Sequence, residues 1–276
     1  YLTHIDKNDM LNALIEKINE IKNSNDIDQN SINSLCWAIG SLSGVLPDEE
    51  EQGFITHVLE YLISLCRETA DINMRAIIAC GIMYICSQFG RLLAKHWELL
   101  KAILLKLFEF MREQNPAVQD SAVDSLKTVC KHCRSEIIKK QMNEETSFLE
   151  QMVSNIQDIF APLSLDNIIE ALESLVVLIQ CVGDQQRKDY TVKVCAELNS
   201  KLEYLCSNPQ LVNLEWHEQF LFILKCNTKL AKFLGNVYIE NQFVIIFPKL
   251  IEIYNRAISG INYCLNNNKI VSQEAS

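Results

Sequence analysis

The sequence predicts an all-α chain. It carries only 8 glycines and 5 prolines in 276 residues, too few to supply the turns of a β-sheet protein. Segments with helical spacing of apolar residues begin near residues 8, 49, 94, 146, 184 and 237. These starts lie about 40 to 50 residues apart, and each longer unit holds two helices, which is typical of HEAT repeats. We therefore predict a HEAT-repeat α-solenoid of about five to six helix pairs, in which each pair buries its apolar face against the next.

In the first half of the chain, apolar periodicity and helix-end signals predict six helices. Ser31 is expected to open the second helix, which is apolar on nearly every side. Asp71 is expected to cap the helix that contains Met74, and Gly90 to end it. Asn115 followed by Pro116 is a typical helix start. The predicted helices span residues 9–22, 31–44, 49–70, 74–89, 92 or 94 to 113, and 117–133.

The same alternation continues in the second half. Helices are predicted over residues 146–160, 166–182, 184–207, 211–234 and 237–265, with the last bent or restarted at Pro248. The polar residues 266–276 are expected to fray. The predicted repeats span residues 1–48, 49–91, 92–140, 141–183 and 184–236, followed by a partial repeat and polar tail over 237–276.

Charge and composition exclude several classes of function. The formal net charge of −10 argues against direct nucleic-acid binding, which needs a basic face, and favours a basic protein partner. No apolar run is long enough for membrane insertion, and the first residues lack the layout of a signal peptide, so we expect a soluble, non-secreted protein. The 11 cysteines mostly fall within apolar helical patterns, where they act as small hydrophobic residues in a reducing compartment.

No motif for a cofactor, a metal or catalysis stands out. The glycines are scattered singly, so no phosphate-binding loop is formed. Cys130 and Cys133 with His132 resemble part of a zinc site, but two further ligands at matching spacing are missing. Cys66 and His57 lie more than two helical turns apart, so they do not make a nucleophile and base. The sequence predicts no enzyme, no metal and no cofactor.

Two neighbouring helices carry more apolar surface than one core contact requires. Between residues 97 and 111 one stripe contains Leu99, Ile103, Leu107 and Phe110, and a second contains Leu100, Leu104, Phe108 and Met111. Lys106 falls within the first stripe, where its nearest acid is Glu109. The helix upstream has a comparable second stripe of Leu59, Ile63 and Cys66. These extra stripes predict either an exposed groove or packing against repeats on both sides.

Several segments resemble the exportins, the nuclear export receptors of the importin-β (karyopherin) superfamily. The resemblance is dense over residues 32–125 and continues collinearly to about residue 265. The segments that carry it are Tyr1–Asp6, Cys36–Ser41, Ala76–Ala79, Ile82–Ile85, Ala94–Trp97, Lys106–Met111 and Val118–Asp120.

The resemblance implies a receptor that shuttles between nucleus and cytoplasm through the nuclear pore, contacting nucleoporins. Such receptors bind leucine-rich export-signal peptides of cargo proteins together with Ran-GTP. Because the chain lacks a starting Met and helical pattern begins at once, we expect a piece of a longer protein, covering central repeats. We expect such a piece to bind export peptides weakly and Ran hardly at all.

The resemblance also implies a site, a hydrophobic groove between the helices over residues 52–70 and 94–113. Cys66 matches a groove cysteine that covalent inhibitors attack, and Lys106 matches a lysine that contacts the backbone of the bound peptide. The residues implied to form the groove are Leu59, Ile63, Cys66, Ala79, Ile82, Met83, Leu92, Leu99, Ala102, Ile103, Lys106, Leu107, Glu109 and Phe110.

The chain departs from the family pattern at the groove. The family leads us to expect lysines where Gln52 and Glu98 stand, an aromatic residue at Leu99 and a hydroxyl at Ala102. These departures predict a wider groove with a less positive rim. Two alternatives remain open: a HEAT scaffold that assembles proteins without a peptide groove, and, more remotely, a hydrolase that uses Cys66.

Overall fold

The computed structural model describes residues 7–23, 28–208 and 214–274. These residues form helices and connecting turns, with no β-strand among them. They divide into two compact units, one ending at Cys181 and the other starting at Val182. This division falls beside the predicted repeat boundary after residue 183. The prediction of an all-α HEAT-repeat fold is confirmed.

The first unit is a succession of helix pairs with short helices at some corners. Its helices are α1 (Lys7–Asn23), α2 (Gln29–Gly40), α3 (Asp48–Glu68), α4 (Ile72–Gln88), α5 (Gly90–Leu93), α6 (Trp97–Phe110), α7 (Pro116–His132), α8 (Arg134–Ile138), α9 (Phe148–Ser154), α10 (Ile156–Phe160) and α11 (Leu165–Ile179).

Four helices form a central row that holds this unit together. In this row α2 packs on α4, α4 on α7, and α7 on α11, and these are the most extensive helix contacts of the unit. The row approaches closely at Gly81 of α4, where an added Cβ would lie 2.5 Å from Cys36 Sγ of α2. The outer helices α1, α3 and α6 pack against members of the row.

Polar contacts between neighbouring repeats recur at the repeat spacing. Each joins residues separated in sequence by roughly one repeat length. Ser43 Oγ donates to the Gln88 carbonyl at 2.7 Å, and Lys127 Nζ donates to Glu170 Oε2 at 2.7 Å. In the first pair the separation is 45 residues and in the second 43. The equivalent positions of successive helix pairs therefore face each other.

A buried carboxylate fixes the start of α3. Glu51 is only 1% exposed, and its Oε1 accepts a hydrogen bond from the Gly44 amide at 2.5 Å. Its Oε2 lies 3.2 Å from Nη2 of Arg91 in α5. Gly44 has φ +79°, a conformation that favours glycine. The charge of Glu51 is thus paired and hydrogen-bonded, as burial of a carboxylate requires.

The second unit contains four α-helices and a π-helical turn. They are α12 (Asp184–Ser207), α13 (Leu214–Leu234), α14 (Asn236–Tyr238), the π-helical turn (Ile239–Phe243) and α15 (Val244–Glu274). Gln242 of the π-helical turn is buried and donates to Asn199 Oδ1 at 2.7 Å and to Asn227 Oδ1 at 3.0 Å. This amide network ties the turn to α12 and α13.

Most of the predicted helix starts are correct. Asp71 accepts from the Met74 amide at 2.8 Å, and Asn115 caps the helix that begins at Pro116, so both predicted caps are confirmed. The second helix starts earlier than predicted because Asp28, not Ser31, is its cap and accepts from the Ser31 amide. That helix is also not buried on every side, since Trp37 is 68% exposed.

Three later predictions were wrong in detail. The helix predicted over 146–160 breaks at Asn155 into α9 and α10. The last helix restarts at Val244 rather than at Pro248. A proline ring clashes with the carbonyl four residues before it, so the irregular turn lies upstream of the proline. Residues 266–274 belong to α15 instead of fraying, because the helix runs on to Glu274.

The close approach of α2 and α4 makes Gly81 sensitive to substitution. Gly81→Ala places a methyl group against the buried Cys36, and we expect a loss of about 1–3 kcal/mol in the free energy of unfolding, as for other overpacked cores. Urea denaturation followed by circular dichroism measures the change. Gly53→Ala is the matched control: its Cβ meets nothing within 4 Å, so we expect a gain of about 0.5–1 kcal/mol. Equal effects at both glycines would contradict the packing described.

Candidate functional site

A cavity lies between α3 and α6, the outer helices on either side of α4. Its volume is about 240 Å³, and its walls are apolar apart from a threonine, a glutamate and a lysine. From α3 the walls are formed by Thr56, Leu59, Glu60 and Ile63; from α4 by Ile82 and Cys86; and from α6 by Leu99, Ala102, Ile103, Lys106, Leu107 and Phe110. We call this cavity and its rim the α3–α6 groove.

The groove exists because α3 and α6 both rest on the central row and fill little of the space between them. The side chains that α3 turns toward it are Thr56, Leu59, Glu60 and Ile63, none of which is aromatic. The next outer pair is different. There Phe148 of α9 stacks on Phe108 of α6 with ring centroids 6.0 Å apart, and it meets Trp97 edge-on at 6.1 Å. Aromatic rings fill the space between α6 and α9, whereas a cavity remains between α3 and α6.

The α3–α6 groove is narrow in this structure. Leu59, Ile82 and Leu107 keep less than a twentieth of their surface exposed. Ala102 is exposed, and Ile63 and Leu99 are partly exposed. The cavity volume is below the roughly 300–1,000 Å³ of typical ligand pockets. The groove therefore has room for only a few apolar side chains unless α3 and α6 move apart.

The charge of Lys106 is paired within its own helix. Its side chain is 15% exposed, and its Nζ donates to Glu109 Oε1 at 2.6 Å. The same Nζ lies 4.8 Å from the centroid of the Phe110 ring, a cation–π distance. The aliphatic stem thus covers the apolar wall while the charge reaches Glu109, which is 59% exposed at the rim.

Cys66 lies in a second, smaller cavity that adjoins the first at Phe110. This cavity has a volume of about 190 Å³, and Ala79 and Arg75 of α4 also line it. Cys66 is 7% exposed, and its Sγ lies 3.6 Å from the Arg75 carbonyl, to which it donates. Cys66 and Ala79 therefore form the end of the groove rather than its middle.

Burial raises the pKa of the Cys66 thiol. Positive charge on Lys106 and Arg75 acts in the opposite direction, while Glu113 and Glu109 add to the increase. Arg67, the next residue in sequence, is not among the charges that shift this pKa. Cys66 is thus a protonated thiol at neutral pH and not an activated nucleophile.

Most of the predicted site residues lie together, but two do not. Met83 and Leu92 are fully buried in the core and line neither cavity, because α4 and α5 turn these side chains toward the central row. Sequence reasoning also missed Thr56, Glu60 and Cys86. Helical spacing could have identified them, because residues three or four positions apart share a helix face. Thr56 and Glu60 each precede a predicted wall residue by three positions, and Cys86 follows Ile82 by four.

The other candidate chemistries do not assemble. Cys130 and Cys133 are both buried, and no group of three or more possible metal ligands occurs among the described residues. His57 is exposed on α3, and Cys66 donates to a backbone carbonyl instead of to this imidazole. In the described part of the chain, no helix combines the length and the apolar character needed to cross a bilayer.

A larger cavity of about 490 Å³ belongs to the second unit. It lies between the end of α12 and the start of α13, where Tyr204 and Trp216 line it. The residues that connect these helices, 209–213, lie outside the described part of the chain. Trp216 Nε1 donates to the Leu205 carbonyl at 3.3 Å, so this indole is anchored within its own helix pair.

Comparison with known proteins agrees with the helix-pair architecture. A family model described as CRM1 / Exportin repeat 3 matches residues 23–71, which include α3. Protein EXPORTIN 1B of Arabidopsis thaliana is 32% identical over 260 residues, covering 92% of this chain and 24% of the relative. Exportin-1 of Drosophila melanogaster is 30% identical over 276 residues, covering 98% of this chain and 26% of the relative. The chain belongs to the exportin-1 family. It spans about a quarter of the length of these exportins.

A third exportin-1, from Schizosaccharomyces pombe, is 36% identical over 156 residues. That match covers 56% of this chain and 14% of the relative. The prediction of an exportin relationship is thereby confirmed, as is its helix-repeat architecture.

The burial of Cys66 in this exportin chain predicts slow alkylation. Because its pKa is raised, the thiolate fraction at pH 7 is below that of an ordinary cysteine, and the rate with iodoacetamide should rise as pH increases from 7 to 9. Lys106→Gln removes a charge that lowers the pKa and should slow the reaction, whereas Glu113→Gln should speed it. Peptide mass mapping over time measures the rate at Cys66.

Arg67→Gln is the control for this experiment. Arg67 follows Cys66 directly in sequence but takes no part in the shift, so its loss should leave the alkylation rate unchanged. A fast reaction at pH 7 that depends on Arg67 would contradict the assignment of Cys66 as a buried, protonated thiol.

Proposed function

We propose that the chain is the export-signal-binding segment of a nuclear export receptor, and that the α3–α6 groove binds leucine-rich signal peptides of cargo proteins. In a full-length receptor of this family, cargo binding would be coupled to Ran-GTP, and contacts with nucleoporins would carry the complex through the nuclear pore. The protein would therefore shuttle between nucleus and cytoplasm as a transport receptor and not as an enzyme.

The single observation that carries this proposal is the apolar cavity between two adjacent outer helices. Nine of the residues that the resemblance implied for the groove line this one cavity: Leu59, Ile63, Ile82, Leu99, Ala102, Ile103, Lys106, Leu107 and Phe110. A groove between two helices that is apolar inside and charged at its rim suits an amphipathic peptide that presents spaced hydrophobic residues.

Apolar anchors supply the affinity in this mechanism. Burying one leucine side chain contributes about 1.5–3 kcal/mol before the costs of ordering the peptide. Ile63, Leu99 and Ala102 are the wall residues with surface left to cover, so they would receive the first anchors. Leu59, Ile82 and Leu107 are already nearly buried, and they become available only if the helices separate.

The narrow groove implies a conformational cost. A signal with several anchors needs α3 and α6 to move apart, and the apparent affinity falls by the fraction of molecules in the open form. The central row does not have to change for this movement, since α3 and α6 pack on α4 and α7 rather than extensively on each other. We therefore expect weak binding by this chain alone.

Lys106 would act on the peptide backbone. Its ammonium lies at the groove wall, and among the described residues it forms an ion pair with the exposed Glu109. A bound peptide can take over a donor from that pair by offering a main-chain carbonyl. A peptide in the wrong position would instead leave the ammonium facing apolar groups without an acceptor, which is costly.

A scaffold function is the second candidate. The repeat architecture alone supports it, because stacked helix pairs present long surfaces to partner proteins. It differs from the first proposal in requiring no apolar anchors in the α3–α6 groove.

A peptide-binding experiment tests the proposal. Fluorescence anisotropy with a labelled leucine-rich export peptide should show saturable binding that is lost when the anchors are replaced by alanine. Ala102→Asp puts a charge on the exposed groove wall without burying it, and Lys106→Glu reverses the charge at the cation, so each should weaken binding about tenfold or more.

Leu105→Asp is the matched control, because Leu105 is 53% exposed on α6 and lines no part of the groove. It should bind like the unmodified chain. Binding that survives Ala102→Asp and Lys106→Glu, or that does not need the anchors, would refute the groove proposal and leave the scaffold function.

A further inference from the structure

The rim of the α3–α6 groove is acidic on both sides. On α3, Glu60 lines the cavity itself and is exposed. Glu49 lies 11 residues earlier, and because 11 residues make just over three turns it shares the face of Glu60. On α6, Glu98 and Glu109 have the same spacing of 11 residues and share the exposed face of Ala102.

The positive charges near the groove do not balance these carboxylates. Lys106 is paired with Glu109. Within the described chain, no ion pair involves Glu49, Glu60 or Glu98. Arg75 lines the smaller cavity at the Cys66 end and Arg67 is exposed at the same end of α3, so both lie away from the first turn of α6.

Helix electrostatics account for some of these acids but not for all. Glu49 and Glu98 lie in the first turns of α3 and α6, where a negative charge favours the helix dipole. Glu60 lies in the middle of α3, where it gains nothing from the dipole and has no ion-pair partner among the described residues. Its exposed carboxylate at the cavity wall is therefore available to a ligand.

We propose that this groove selects export signals with lysine or arginine between their hydrophobic anchors, and disfavours signals with acidic residues there. The inference rests on the proposed function, because it concerns the peptide that the α3–α6 groove binds. Glu60 on one rim and Glu98 on the other would each face a basic side chain of the peptide, while the apolar anchors enter the cavity between them.

The strength of exposed ion pairs sets the expected ratio of affinities. Exposed ion pairs are worth about 1.4-fold to fivefold in affinity each, so two of them should favour a basic over a neutral peptide by about twofold to 25-fold. The preference should shrink at 1 M NaCl, where the Debye length is about 3 Å. Apolar anchoring should persist at that salt concentration.

Three labelled peptides with identical leucine anchors and either Lys, Gln or Glu between them test the proposal by anisotropy. We expect the Lys peptide to bind tightest, then the Gln peptide, then the Glu peptide. The double variant Glu60→Lys/Glu98→Lys should reverse the order. Glu16→Lys is the control, because Glu16 is an exposed glutamate on α1 with no ion pair among the described residues, and it should keep the order.

The outcomes separate this inference from the function on which it rests. Anchor-dependent binding of all three peptides with equal affinity, or with the Glu peptide tightest, would overturn the charge selectivity and leave the groove function intact. If a Lys peptide without leucine anchors binds as well as the anchored one, or if the anchored Gln peptide does not bind, the groove function fails and the selectivity fails with it.

Discussion

The packing of α2, α4, α7 and α11 on one another is the constraint on which the first unit depends. An amphipathic helix pair cannot bury its apolar surface alone, so each pair is stable only against its neighbours. The row approaches closely at Gly81, where the lack of a side chain lets α4 contact Cys36 of α2. Once this spacing is set, the positions of the outer helices follow, because each of them packs on the row.

The candidate site is a consequence of that spacing. Both α3 and α6 pack on α4 beneath them, and whether the space between them is filled depends on side-chain size. Between α6 and α9 it is filled by Trp97, Phe108 and Phe148. Between α3 and α6 the side chains are shorter, and an apolar cavity remains. The candidate site thus lies where repeat packing is incomplete.

Electrostatics give the groove its character without determining its stability. The Lys106–Glu109 pair is partly exposed, and such pairs contribute little to folding. In the interior of the repeat a charge must be paired. Glu51 is buried, and its two carboxylate oxygens interact with the Gly44 amide and with Arg91. Exposed charges at the rim can interact with a ligand, whereas the buried charge of Glu51 cannot.

The helix class and most helix starts could be predicted from the sequence, because these depend on local periodicity and on caps such as Asp71 and Asn115. The additional apolar stripes and the family resemblance also predicted a groove on α3 and α6, the two helices between which the apolar cavity lies. Which apolar residues face the cavity depends on the packing of the helices and could not be predicted from the sequence. Met83 and Leu92 have the same chemistry as Ile82 and Leu99, but they point into the core. Helical periodicity fixes which residues share a face, and the packing of neighbouring helices decides which face stays open.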